Sequence, residues 1–231
     1  MGSFTELVET PFAEGINALC WPRHLSGDFA AVVTGVGRCH SPRSAGGAGT
    51  AEPLVALDED VLAHLDLGPA GRTAAEALCA DLRLLRERGL EPVLNCIHGY
   101  PVDDDAIVST DVFSFHADRA PIAADTWLCT YYGSPSEAVP NEAVIRRVDV
   151  PATRAELLRS FGGVDDEAFA AWLGEHCYDL HYALQPNARP WSFGHFNLWR
   201  IAVDYPGSPV PPCIHRAPAT VPGVPRLLLI S

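Results

Sequence analysis

The sequence predicts a mainly β fold with flanking helices, an α+β chain, and three observations carry that expectation. From Val112 onward the text is mostly short apolar runs separated by Pro, Gly and Asp, the punctuation of strands and turns. Helical signals stand mainly behind two capping boxes, Thr73-Ala74-Ala75-Glu76 before that stretch and Thr153-Arg154-Ala155-Glu156 within it. The chain has 231 residues, 48% of them hydrophobic and 19% charged, enough to bury one sizeable core. One domain over 1–231 is expected: a helical or mixed support region at 1–92 and a β core at 93–231, with a helical insertion at about 153–184.

Taken in order, an apolar run around Ile16 to Trp21 is followed by Pro22, Gly27-Asp28 and a second run, Phe29 to Val33. Ser41 to Thr50, rich in Gly and Ser, reads as a mobile loop. Behind the first capping box, Ala77, Leu78, Leu82 and Leu85 recur at helical spacing until Gly89 supplies the stop. Pro92 to Ile97 reads as a strand. The second capping box opens a helix to about Ser160, and Asp165 is placed to cap another through Phe169 and Trp172. Beyond Pro190 the text is strand-like again: Phe193 to Val203, a turn from Pro206 to Pro212, Cys213 to His215, a turn from Ala217 to Pro225, and Arg226 to Ile230. No internal repeat is present.

The net charge of -13 and only 16 Lys and Arg argue against nucleic acid as a partner, because phosphate-backbone recognition needs clustered cations. Met1 to Glu6 has neither the basic nor the apolar region of a signal peptide, and Leu227 to Ile230 is too short to span a bilayer. A soluble, cytoplasmic protein with no membrane partner is expected. Seven cysteines, an odd number without CxxC spacing, suit neither a disulfide framework nor a zinc knuckle. Most read as buried, reduced thiols, with Cys213 near His215 and Cys96 near His98 as weak soft-metal candidates.

The chemistry is concentrated in His116-Ala117-Asp118 and in His215, followed eleven positions later by Arg226. In an extended segment His116 and Asp118 leave the same face, close enough to chelate one ion. Two imidazoles and one carboxylate would hold a metal from one side and leave the other side open for oxygen and substrate. A guanidinium is the natural partner for a remote carboxylate, because its planar fork makes two charge-assisted hydrogen bonds. Each residue also has a plainer reading: His116 a core histidine, Asp118 a turn residue paired with Arg119, His215 a loop residue, Arg226 a surface ion pair.

In this order, HxD, a distal His and an Arg about ten residues on, the chain resembles the iron(II)- and 2-oxoglutarate-dependent oxygenases, of prolyl-hydroxylase type in particular. Leu128 to Asn141, His215 to Pro218 and Arg226 to Leu229 are also similar to a family of uncharacterised bacterial proteins of this size. The resemblance covers roughly residues 93–145 and 190–231. It implies a double-stranded β-helix, a jelly-roll or cupin-like barrel. It also implies iron(II) bound by His116, Asp118 and His215, and 2-oxoglutarate and O2 as co-substrates. Arg226 and Tyr132 would hold the far carboxylate, with Thr130 on the same face as Tyr132. Many relatives carry Ser or Thr where this chain has Leu228, so another residue must complete that pocket.

For substrate recognition, His195, Asn197 and Trp199 alternate along Phe193 to Val203 and would share one face, with Arg200 on the other. Together with Tyr131, these residues would suit a small polar metabolite such as an amino acid. Asp179, His181, Arg146 and Arg147 read more simply as local hydrogen-bond partners. Two alternatives stand beside the hydroxylase (or desaturase or cyclase). One is an iron-dependent oxidase that uses no 2-oxoglutarate, with Arg226 on the substrate carboxylate. The other is a non-catalytic jelly-roll binding module. Oligomeric state is not legible.

Overall fold

Strands in this chain take two roles, and the burial pattern of β5 (Asp125–Tyr132) shows both at once. Trp127, Cys129 and Tyr131 enter the largest hydrophobic cluster, while Leu128 enters a second cluster with Ala138, Phe193, Ile201 and Cys213. A strand buried on both faces needs a layer on each side. In the computed structural model, which describes residues 1–40, 54–102, 105–219 and 221–231, helices supply one layer and a second sheet the other. Ser41 to Thr50, expected to be a mobile loop, lies outside the described residues.

The first sheet has the order β1 (Ala18–Trp21), β10 (Leu198–Ala202), β5, β12 (Arg226–Ile230), β3 (Val93–Ile97), β2 (Leu54–Leu57). The second has the order β7 (Val144–Arg146), β8 (His181–Leu184), β4 (Phe115–His116), β11 (Ile214–Arg216), β6 (Glu137–Val139), β9 (Trp191–Ser192). The neighbouring strands pair antiparallel throughout. From β3 to β6, and again from β9 to β12, the chain alternates between the two sheets at each step. The architecture is mainly β with helices, as expected, and is compatible with a jelly-roll.

Helices α1 (Phe4–Glu9), α2 (Phe29–His40), α3 (Glu59–His64) and α4 (Pro69–Arg86) all belong to the first 92 residues. That region also supplies β1 and β2, the two edge strands of the first sheet. Leu78, Leu82 and Leu85 of α4 are fully buried in the large cluster with Leu94, Leu227 and Leu229, each contributing about 2–3 kcal/mol by burial.

Two helix starts differ from the sequence expectation in the same way. α4 begins at Pro69 behind Gly68, four residues before Thr73, whose hydroxyl bonds back to Pro69 O inside the helix. α5 (Pro151–Phe161) begins at Pro151 rather than Thr153 and ends on Gly162 at φ 73°. In both, a proline at the first turn is preorganised for helix and lacks only an N–H that would have no intrahelical partner. α6 (Glu167–Glu175) is capped by Asp166, while the neighbouring Asp165 pairs with Arg154. The expected insertion closes with a strand, β8, inside the second sheet. The expected strand from Phe193 starts only at Leu198, because Gly194 (φ 69°) and Phe196 (φ 67°) turn the chain between them. Among the described residues, no helix is long and apolar enough to cross a membrane.

Candidate metal centre

His116 on the two-residue strand β4 lies directly opposite His215 on β11 on one side and His181 on β8 on the other. Directly opposed residues in a sheet present their side chains to one face. The three imidazoles therefore form a row, with ring centroids 4.7 Å apart for His116 and His215 and 5.7 Å for His116 and His181. His116 Nδ1 lies 2.7 Å from Ser114 O and His215 Nδ1 3.2 Å from Cys213 O. A carbonyl only accepts, so each Nδ1 carries the proton and each Nε2 is left with a free lone pair.

Both Nε2 atoms face Asp118. Oδ1 lies 3.9 Å from His116 Nε2 and Oδ2 lies 3.8 Å from His215 Nε2. The three ligand atoms lie within 4.8 Å of one another, near enough to hold a metal ion. Asp118 is fixed from two directions: Thr126 Oγ1 donates to Oδ2 at 2.5 Å, and the Asp204 amide donates to the Asp118 carbonyl at 2.8 Å. Arg119 turns away to Asp179 and Asp204, so the plainer pairing of Asp118 with Arg119 is not the one formed.

Burial holds His116 below its ordinary pKa, and the neighbouring His215 adds to the effect. A neutral imidazole is the ligating form. Cys213 has its thiol pushed up to about 12 by burial. It serves the centre through its backbone carbonyl, and the cluster that forms contains no sulfur.

Arg226 opens β12. Leu227 and Leu229 enter the helix-side cluster, so alternation turns Arg226 and Leu228 to the other face, toward the second sheet. Gly133 makes room for this strand start. At φ 77° it lies so close that a Cβ would meet Pro225 O at 2.6 Å. The guanidinium is 5% exposed and donates to Ser134 O (2.8 Å), Ser136 Oγ (2.9 Å) and Tyr100 OH (3.3 Å). Among the described residues no carboxylate pairs with it. Its burial draws its pKa down, the mark of a cation short of a counter-charge. Leu228 is flanked in register by Asn95 and Thr130, both buried, and Thr130 Oγ1 has no partner.

The expected residues divide clearly. His116, Asp118 and His215 come together. Tyr132 packs against the helix-side cluster, opposite Leu227, and the phenol at Arg226 is Tyr100 instead. Tyr131 lies on the helix side, bonded to Asp81. Arg200 binds Asp125 and the carbonyls of Leu7, Val8 and Thr10, fastening the end of α1. His195 and Asn197 fall in the turn before β10 and bond to the Gly133 and Phe193 carbonyls; Trp199 also donates to Phe193 O. Thr126, Tyr100 and Ser136 were not among the expected residues, and His181, read as a local hydrogen-bond partner, stands in the histidine row instead. Tyr100, Ser136 and His181 reach the site through elements distant in sequence, and Thr126, eight residues after Asp118, carries no motif that marks it.

A cavity of about 520 Å³ opens beside Tyr100, lined also by Gly99, Phe113, Arg216 and Ala217, within the size range of small-ligand pockets. A larger one, of about 770 Å³, lies between Trp191, Trp199 and Asn141, and neither cavity is lined by His116, Asp118 or His215. Comparison with models of known protein families, with curated proteins and with solved structures finds no match to this chain.

Proposed function

We propose that this chain is an iron(II)- and 2-oxoglutarate-dependent oxygenase on a double-stranded β-helix, acting on a small polar molecule. The observation that carries this reading is a pair of sites facing the space between the sheets. One is a two-histidine, one-carboxylate cluster; the other is a buried arginine with no acid of its own. The alternation of strands between two antiparallel sheets supports the barrel.

The donor set fits iron(II). Two neutral imidazoles and one carboxylate, with open positions beyond, are the ligands that non-haem iron oxygenases use. Bound there, iron would supply the redox chemistry that couples O2 reduction to decarboxylation of 2-oxoglutarate and oxidation of a substrate C–H bond.

The chain's own residues do the positioning. Ser114 O and Cys213 O fix the tautomers of His116 and His215, and Thr126 orients Asp118. Arg226 is preset by Ser134 O, Ser136 and Tyr100 to receive the distal carboxylate of 2-oxoglutarate. Thr130, beside Leu228, offers the hydroxyl that Leu228 lacks. Apolar Leu128, Ile201 and Phe193 line the inter-sheet core and exclude water.

The test is succinate release. Protein supplied with iron(II), 2-oxoglutarate and O2 is expected to form succinate slowly alone and faster with the right substrate, and Asp118→Ala is expected to abolish both. Oxygen consumption without succinate would favour an oxidase that draws its electrons from its own substrate.

A further inference from the structure

The described residues leave four buried side-chain polar atoms without a partner: Ser114 Oγ, Thr130 Oγ1, Arg147 Nε and His181 Nδ1. Leaving such an atom unpaired costs about 1–3 kcal/mol, so each asks for an explanation. Thr130 is accounted for above. The other three belong to the ends of neighbouring strands, Ser114 just before β4, His181 at the start of β8 and Arg147 just after β7, on the side of His116 away from His215.

His181, 5% exposed, is the third imidazole of the row and shares the inward face of His116. Arg146, the last residue of β7, pairs with Tyr182 of β8, and Arg147 opens the 3-10 turn that follows, one residue beyond that pair. The charge of Arg147 is felt at the His181 ring. Ser114 stands two residues before His116. The acids closest in effect are already engaged: Asp111 accepts from Ser109 Oγ and from the amides of Phe113 and Ser114, and Asp179 accepts from Arg119. Among the described residues Arg147 forms no ion pair.

We infer that Arg147 and His181, with Ser114, form a subsite for a carboxylate of the oxidised substrate, next to His116 and separate from the carboxylate site at Arg226. The inference rests on the oxygenase reading of the triad. One guanidinium, one imidazole N–H and one hydroxyl match a monoanion with two acceptor oxygens. A phosphate dianion would call for more positive charge than one arginine provides. The substrate class is therefore a small carboxylic acid, held so that carbon atoms a few bonds from its carboxylate lie over the triad.

The full chain, labelled with nitrogen-15 in arginine, gives one Nε–H signal per arginine, and those of Arg147 and Arg226 are assigned by their loss in Arg147→Lys and Arg226→Lys. Acetate, inorganic phosphate and 2-oxoglutarate are titrated separately. Acetate is expected to shift the Arg147 signal saturably. In His181→Phe, and in the milder His181→Gln should the first not fold, that shift should need about tenfold more acetate, the worth of one hydrogen bond. The response of Arg226 to 2-oxoglutarate should be unchanged in both. An Arg147 signal unmoved by acetate, or moved more readily by phosphate, overturns the carboxylate subsite. Because 2-oxoglutarate is read at Arg226, a failure of the co-substrate reading appears there and is distinguished from a failure at Arg147.

Discussion

The hydroxyl of Thr126 on β5 donates to Asp118 Oδ2 at 2.5 Å, joining the first sheet to a carboxylate that follows a strand of the second. Thr126 is buried, so this contact fixes the carboxylate from the inter-sheet side. Partners of this kind typically change metal affinity by about 10–100-fold. Thr126→Val, which keeps the shape and removes the donor, is expected to weaken iron(II) or manganese(II) binding by that order in anaerobic calorimetry, with an unchanged circular dichroism spectrum. Unchanged affinity would make the contact incidental.

Asp111 organises the turn from which Ser114 O reaches His116. Burial pushes its carboxyl up, but hydrogen bonds from Ser109 and from the amides of Phe113 and Ser114 outweigh this and hold it below the ordinary carboxylate value. With a folded pKa below the unfolded one, its stabilising contribution is present above the unfolded value of 3.8 and is lost as pH falls through the lower, folded value. In Asp111→Asn, stability from urea unfolding is expected to fall less steeply than wild type below about pH 4. Identical slopes would remove Asp111 from the acid response.

Arg226 is the group whose burial lacks a counter-charge. Arg226→Lys keeps the charge but loses the fork, and Arg226→Met loses both. With charged hydrogen bonds worth about 1.5–3 kcal/mol, 2-oxoglutarate affinity should fall at least tenfold in the Lys variant and further in the Met variant. Metal stoichiometry should stay at one in both. Loss of metal binding in the Met variant would mean that Arg226 supports the fold rather than the ligand.

On the helix side, Arg23 bonds Asp81 at 2.6 Å, the carbonyl of Phe196 and Cys129 Sγ, and Tyr131 donates to the same Asp81. Removing one member of a buried pair leaves the other charge uncompensated, at a cost of about 3–5 kcal/mol. Arg23→Met is expected to lower the urea-unfolding free energy by this amount. Arg23→Met combined with Asp81→Leu should recover part of it. A neutral single variant would show that water reaches Asp81.

Cys129 and Cys213 have thiols pushed up to about 12, and Cys96 to about 11, in each case by burial, whereas Cys177 is exposed. Because the thiolate is the reactive form, iodoacetamide at pH 8 should modify Cys177 within minutes and leave Cys129, Cys213 and Cys96 intact until unfolding. Peptide mapping by mass spectrometry reads this directly.

The grouping of His116, Asp118 and His215 was legible because their order and residue types carry the signal, and His116-x-Asp118 is local. Arg226, a buried arginine with no ion pair among the described residues, was legible as a residue of interest. Its neighbours were not. Tyr100 and Ser136 reach it from loops 126 and 90 residues away, and His181 enters the histidine row only through the pairing of β8 with β4. The resemblance puts Tyr132 beside Arg226, but the register shift between Leu227 and Leu228 interrupts simple alternation at that end of β5. His195 and Asn197 were assigned a strand's period where Gly194 and Phe196 turn the chain. Helix starts were set by capping boxes, while Pro69 and Pro151 marked the true first turns. The same capping signal at Ser3-Phe4-Thr5-Glu6 went unread: there Ser3 accepts the Glu6 amide and Glu6 accepts the Gly2 amide.

The most direct measurement is anaerobic titration of the metal-free chain with iron(II) and then 2-oxoglutarate, followed by visible absorption. One equivalent of iron is expected, with a weak charge-transfer band appearing when 2-oxoglutarate chelates it. The band should be lost in Asp118→Ala with the metal, and should require at least tenfold more 2-oxoglutarate in Arg226→Met. Iron binding with no band would contradict the co-substrate assignment, and no iron binding in the folded wild-type chain would contradict the metal centre itself.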